Sequence, residues 1–376
     1  MIKLLYIANV MNRVNSFCES SMKAALGMGI EFHIASNWSY KNQEEVLFDE
    51  QKYGIKIHQV DFIREPYDIR NLKAYKQVVE LIKKEKINVI HCNTPIGGVI
   101  GRLAGIKCGI NKIIYQAHGF HFYTGAPLIN NYIYYPIEKW LASYTDALIT
   151  INSEDYQAAK EFRLRNDGEV YFVHGVGIET EKFTFNREYR EKKRKELGLD
   201  SEDMVLISVG RLDVNKNNET TIRALAKVPN VKLLLCGDGV LKESLNVLSE
   251  KYGVRDRVLF LGNRVDVIEL YCAADIMVMM SYREGLSRSI MEAMSIGLPC
   301  VVSEIRGNTD LIENGHNGYL CKVTDDSACA DAINFLIEHK EIITEMKENN
   351  LTKIKKYDSK VVEKEMFEIY QKILSC

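Results

Sequence analysis

A chain of 376 residues is long enough for about two or three domains, each with its own core. Hydrophobic residues make up 46% and charged residues 27%, which excludes a disordered, collagen-like or coiled-coil chain. The 49 basic and 51 acidic residues leave a formal charge of −2. Neither half is a basic block, so the electrostatic footprint of a nucleic-acid binder is missing.

The N-terminal run Met1–Ala8 is apolar, but Asn9, Asn12 and Arg13 interrupt it and no small-residue cleavage site follows. It reads as a buried first strand rather than a signal peptide. No apolar stretch reaches about 18 residues, so no membrane span is expected. Short Val- and Ile-rich runs then alternate with helical periods. Strands are predicted at 2–8, 31–36, 55–59, 88–92, 112–116, 146–151 and 169–173, and helices at 16–28, 71–86, 97–108, 130–143 and 153–162. Strands without a polar face, separated by helices, indicate a parallel sheet covered on both sides. The alternation stops at 174–198, which carries the charged run Arg187–Lys195. A second series follows at 204–209, 231–236, 257–261, 275–280, 299–303 and 318–321. The C-terminal stretch is helical, with a break at Tyr357-Asp358.

The expected fold is therefore α/β, with two Rossmann-like doubly wound domains: 1–180, 181–357, and a helix at 358–376 returning to the first. A hinge between such domains would leave a cleft, with ligands at the carboxyl ends of the strands. The cysteines, at 18, 92, 108, 236, 272, 300, 321, 329 and 376, are odd in number and never spaced CxxC. They read as reduced core residues of a cytosolic protein, not a disulfide framework or a zinc site.

The most informative segment runs from Ser281 to Met294. A strand enters a short polar loop, and a helix starts near Ser287 and stops at Gly297, with Pro299 beyond. A helix N-terminus after a strand favours an anion, because its first N–H groups and its dipole point at the ligand. Glu284 and Glu292 flank this start. A helical path would hold their Cα atoms about 12 Å apart, too far for an acid/base pair on one bond. The spacing suits two grips on a long ligand with phosphates between them and hydroxyl groups at each end, as in a nucleotide-sugar. It also admits a plain loop charge and a plain surface helix charge.

Ser208–Lys216 is a second strand end with a loop. Arg211 and Lys216 are cations there, able to hold a diphosphate and stabilise its charge as a leaving group, or simply to be solvated. Tyr115–Phe122 places His118 and His121 at a strand end of the first domain. No third ligand is near, so a metal is not expected. Cys236-Gly237-Asp238-Gly239 is not GxGxxG, and neither first strand–helix turn carries the glycine fingerprint of a nicotinamide fold.

Together these segments resemble the retaining glycosyltransferases of family 4, which have the GT-B fold. Glu284 and Glu292 match that family's E-x7-E motif, and Gly210-Arg211-Leu212 with Lys216 matches its diphosphate loop. His91–Gly98, Ala117–Phe122, Tyr135–Lys139 and Arg283–Ser289 are similar to bacterial capsule and exopolysaccharide enzymes. The resemblance implies a metal-independent hexosyl- or N-acetylhexosaminyltransferase with no cofactor. It implies a UDP-sugar donor and a saccharide acceptor linked to undecaprenyl diphosphate. It assigns Glu284 to the donor sugar, Glu292 to the ribose, and Arg211 and Lys216 to the diphosphate, with the backbone of Gly285, Leu286 and Ser287. His118 would lie near the transferred sugar, and Asn263, Arg264 and Val265 beside the base. Where many relatives carry a Gly-Gly pair, Asn15 and Ser16 stand here and would contact phosphate through side chains. A UDP-sugar 2-epimerase and a non-catalytic partner subunit share the fold and are the competing expectations.

Residues 70–86 hold six cations against two acids, with Leu72, Tyr75, Val79 and Ile82 on one stripe. Such a helix either packs on the sheet with solvated lysines or lies on an anionic inner membrane face as a peripheral contact. Tyr132, Tyr134, Tyr135 and Trp140 would line an acceptor groove or belong to the core.

Overall fold

A computed structural model describes residues 1–38 and 42–374. Cys376 lies outside them. The chain forms two compact units, Met1–Gly177 with Ser359–Cys376, and Ile178–Asp358.

Unit 1 begins β1 (Lys3–Val10), α1 (Ser16–Gly27), β2 (Glu31–Asn37), α2 (Gln43–Tyr53), β3 (Lys56–Gln59) and α3 (Asn71–Glu85). It continues with β4 (Val89–Asn93), α4 (Pro95–Lys107), β5 (Lys112–Ala117), α5 (Leu128–Ala142), β6 (Ala147–Thr150), α6 (Ser153–Lys160) and β7 (Glu169–Phe172). The seven strands lie in the order β3-β2-β1-β4-β5-β6-β7 and are all parallel. Unit 2 opens with α7 (Arg187–Glu196), β8 (Met204–Val209), α8 (Asn218–Ala226), β9 (Val231–Cys236), α9 (Lys242–Lys251), β10 (Val258–Gly262) and α10 (Val267–Ala273). It ends with β11 (Ile276–Met279), α11 (Arg288–Ile296), β12 (Cys300–Ser303), α12 (Asn308–Leu311), β13 (Gly318–Cys321), α13 (Asp326–Glu338) and α14 (Lys340–Lys353). Its sheet, β10-β9-β8-β11-β12-β13, is parallel too. α15 (Ser359–Leu374) then belongs to unit 1, where it packs on α1. All the predicted strands form, and their ends move by no more than two residues. The charged run at 187–195, in the stretch where the predicted alternation stops, is the helix α7.

Period-two alternation explains why both faces of each sheet are apolar. In unit 2, Val205, Ile207, Met277 and Met279 point into one cluster, and Leu206, Ile276, Val278 and Met280 into the other. In unit 1, Leu5, Ile7, Ile90, Cys92 and Ile113 face the helices α3 and α4. The cysteines among the described residues are free, and all but Cys108 are buried. On α3 the buried residues are Ala74, Val78 and Ile82, while Leu72 is exposed. The helix thus packs on the unit, and the predicted stripe loses its first member. Among the described residues no helix is long and apolar enough to cross a membrane.

One buried charge organises the outer helices of unit 1. Arg102, on α4, is fully buried. Its Nε donates to the Gly98 carbonyl at 2.8 Å, its Nη1 meets Glu138 Oε2 at 2.9 Å, and its guanidinium lies 3.9 Å from the Tyr115 ring centroid. Glu138, on α5, is the compensating charge. Removing one partner of a buried ion pair strands the other in low dielectric. Glu138→Ala should therefore cost about 3–5 kcal/mol in denaturant unfolding. A loss below about 1 kcal/mol would show that the pair does not secure α5.

Candidate functional site

The site is built outward from α11. Ser287 stands in an extended conformation at its N-cap, and its side chain bonds none of the first-turn amides. Those amides are left to whatever lies beyond the helix end. Ile290, Met291, Ala293 and Met294 pin the helix to the core. Gly297, left-handed at φ 90°, ends it.

Glu284, in the loop before α11, meets Lys216 Nζ through Oε1 at 2.6 Å, and both side chains are largely shielded, at 13% and 20% exposure. Lys216 ends a short 3-10 turn capped by Asp213, whose Oδ1 accepts from the Lys216 N–H. Gly210 lies beneath: a Cβ there would stand 3.0 Å from Lys216 Cε. Arg211 behaves differently. Its side chain is 73% exposed, with Asp213 at 3.8 Å. The two cations expected to act together are thus one fixed and one extended into solvent. Glu292, one helical stretch on, is not a free surface charge. Its side chain is 12% exposed, Arg288 Nε donates to Oε1 at 2.8 Å, and the Tyr271 hydroxyl donates to Oε2 at 3.3 Å.

The loops are tied to one another. The Tyr282 N–H donates to the Asn215 carbonyl at 2.8 Å, and Asn215 Nδ2 donates to the Arg283 carbonyl at 3.0 Å. Arg306 Nε reaches the Glu284 carbonyl at 3.3 Å. Two glycines allow the close approach. A Cβ on Gly237, at φ 139°, would stand 1.9 Å from the Gly210 carbonyl oxygen, and one on Gly307, at φ 80°, 2.3 Å from that of Gly285. Gly285, Leu286 and Ser287 are therefore held from behind. Arg264 forks onto Asp266, Nε to Oδ1 at 2.7 Å and Nη2 to Oδ2 at 2.6 Å, while Val265 is fully exposed. Asn215, Tyr271, Arg306 and Gly307 escaped the sequence reading. The signal available for most of them is position: they sit just beyond strand ends at the ligand-binding edge of a doubly wound sheet.

Asn15, Ser16 and His118 belong to unit 1. Asn15 is the N-cap of α1, its Oδ1 accepting from the Phe17 N–H at 3.0 Å, and Ser16 is the first helical residue. His118 follows β5 with Nε2 3.0 Å from Asn93 Oδ1. Nε2 is then the donor, leaving Nδ1 as an acceptor with no protein partner among the described residues. Burial pushes the His118 pKa down to about 4, so the ring is neutral at pH 7. His121 does not join it. Its ring lies against Tyr134 at 4.8 Å. Among the described residues, the grouping of three carboxylates close enough to share a cation is Glu196, Asp266 and Glu269. Lys193 Nζ already sits among them.

Burial also holds His58 at about 4 and His91 at about 3, against an ordinary value of 6.5. For a histidine with a depressed folded pKa, the stabilising contribution is complete above the unfolded pKa and is lost as pH falls toward the folded one. His58, His91 and His118 should therefore lower stability, and with it the Tm, as pH drops from 6.5 toward 4, each by up to about 1.4 kcal/mol of unfolding free energy per pH unit. A Tm that stays flat from pH 7 to pH 5 would contradict their burial as neutral rings.

The comparisons with known proteins agree with one another. The model described as "Glycosyl transferases group 1" matches residues 189–353, and that described as "Glycosyl transferase 4-like" matches residues 3–152. A protein of Bacillus subtilis (strain 168) carrying the glycosyltransferase name EpsD is 35% identical over 98% of this chain and 96% of its own length. The Escherichia coli UDP-Gal:alpha-D-GlcNAc-diphosphoundecaprenol alpha-1,3-galactosyltransferase is 30% identical over 70% of each chain. The crystal structure of Anabaena Alr3699/HepE in complex with UDP-glucose superposes with a TM-score of 0.80 at 20% identity, covering 99% of this chain and all of that one.

Proposed function

The chain belongs to the group 1 glycosyl transferases, with the GT-B fold, and from that premise we propose that it moves a sugar from a UDP-sugar to a lipid-linked saccharide, with retention of anomeric configuration. The carrying observation is the Lys216–Glu284 pair beside the uncapped start of α11. An ammonium and helix N-terminal amides take a diphosphate, and carboxylates at either side take hydroxyl pairs.

In this reading donor binding replaces the Lys216–Glu284 contact. The ammonium turns to the diphosphate and the carboxylate to the sugar hydroxyls. Lys216, Arg211 and the backbone N–H groups of Gly285, Leu286 and Ser287 then stabilise the negative charge that grows as the sugar–phosphate bond breaks. Gly210 gives Lys216 room to lie across the loop. Glu292, oriented by Tyr271 and Arg288, holds the ribose, and Arg264 and Val265 flank the base. From unit 1, His118 is assigned to the transferred sugar as a neutral hydrogen-bonding ring, and Asn15 and Ser16 to the phosphates. The E. coli relative's lipid diphosphate acceptor supports an undecaprenyl-linked acceptor here and a place in surface polysaccharide synthesis. Exposed apolar side chains on unit 1, among them Tyr67, Ile69, Leu72, Leu128, Ile129 and Tyr132, with the lysines of α3, support peripheral contact with an anionic membrane.

The test is a transfer assay with a panel of UDP-sugars and lipid-linked acceptors. Glu284→Ala should keep the fold and lower turnover about tenfold to a hundredfold, the cost of about 1.5–3 kcal/mol for one charge-assisted contact. Wild-type turnover in that variant would remove Glu284 from the donor site. Co-sedimentation with anionic vesicles at low salt, weakening as salt rises, is the expected outcome for the membrane contact. Protein that stays in the supernatant with anionic and neutral vesicles alike would exclude it.

A further inference from the structure

We propose that Lys193, on α7, together with Asp266, positions the base-contacting loop 263–265 and thereby sets affinity for the nucleotide donor; the inference rests on the nucleotide-sugar reading above.

α7 is among the most charged stretches of the chain, yet Lys193 is turned inward at 4% side-chain exposure. Its Nζ meets Asp266 Oδ2 at 2.5 Å, Glu196 Oε2 at 2.7 Å and Glu269 Oε2 at 3.0 Å. Burial disfavours this charge, but the three carboxylates outweigh it and hold the pKa above its ordinary value. Asp266 is the hub. It takes Lys193 from one side and the Arg264 fork from the other, and Arg264 also reaches Glu196 at 3.2 Å. Those contacts keep its carboxyl well below the usual range.

The loop itself has little else to fix it. Gly262, at φ 65°, turns the chain out of β10, and Val265 is fully exposed, so no apolar packing sets the tip. Its shape depends on the charges at its base. Lys193 and Arg264 face three carboxylates, a balance of −1; without Lys193 it is −2, with the repulsion directly under the loop. A salt bridge serving only stability would change unfolding and leave ligand affinity alone. A positioning role changes how well the base is held and spares the bond-breaking step, which occurs elsewhere on the ligand.

The experiment is calorimetric titration of UDP into the full-length wild type and the variants Lys193→Met, Asp266→Asn and Lys193→Arg, each confirmed folded by far-UV circular dichroism. Steady-state kinetics on the same proteins accompany it. Lys193→Met and Asp266→Asn should weaken UDP about tenfold and raise the donor KM alike, with kcat within about twofold, while Lys193→Arg keeps affinity within about threefold. If Lys193→Met does not fold, Asp266→Asn carries the test, because it keeps the side-chain volume and removes only the charge. Unchanged UDP affinity in a folded variant, or a fall in kcat at constant KM, overturns the positioning role while leaving the donor reading intact. Failure of the wild type to bind UDP brings down the donor reading, and this inference with it.

Discussion

Every strand of each sheet runs the same way, and the rest of the site depends on that constraint. Parallel strands send all their exit loops to one edge. In unit 2, the loops after β8, β9, β10, β11 and β12 therefore emerge together, although they are far apart in sequence. They contribute Gly210–Lys216, Gly237–Gly239, Asn263–Asp266, Ser281–Ser287 and Arg306-Gly307. Crowding at that edge makes glycine obligatory where backbones approach. A side chain at Gly237 would overlap the Gly210 carbonyl, and one at Gly307 would overlap that of Gly285. The same crowding orients α11, whose first amides open where the loops converge.

Several charged residues at this edge are matched in pairs. Lys216 holds Glu284, Arg288 holds Glu292, and Lys193 with Arg264 holds Asp266. Each pairing fixes a side chain in place and lowers the cost of ordering it when a ligand arrives. Arg211 is held more loosely, extended into solvent with Asp213 at 3.8 Å. In the proposed donor site Arg211 would need a swing of its side chain, whereas Lys216 would need only to exchange one anion for another. Two cations that look alike in the sequence thus differ in the conformational entropy they must lose.

Two histidines of unit 1, His91 within β4 and His118 just after β5, are neutral rather than charged. His91 and His118 are deprived of their charge by burial, with His91 Nδ1 at 2.5 Å from the Tyr370 hydroxyl of α15 and His118 tied to Asn93. A neutral ring can orient a hydroxyl group without drawing an anion to itself.

The sequence by itself determined the fold class, because apolar runs of strand length alternating with helical periods admit little besides covered parallel sheets, and the predicted strands form within two residues. It also located Glu284, Glu292, Lys216 and the start of α11, since these lie on contiguous segments with recognisable strand–loop–helix punctuation. Tertiary structure decided the rest. That Lys216 meets Glu284 while Arg211 does not depends on how two loops 68 residues apart come together. That Lys193 is a buried clamp rather than one more solvated lysine depends on which face of α7 packs on α10, and the highly charged sequence of α7 conceals that face. The roles of Asn215, Tyr271, Arg306 and Gly307 were invisible for the same reason: each acts through a contact with a distant segment, and only the folded chain brings those segments within hydrogen-bond or van der Waals range.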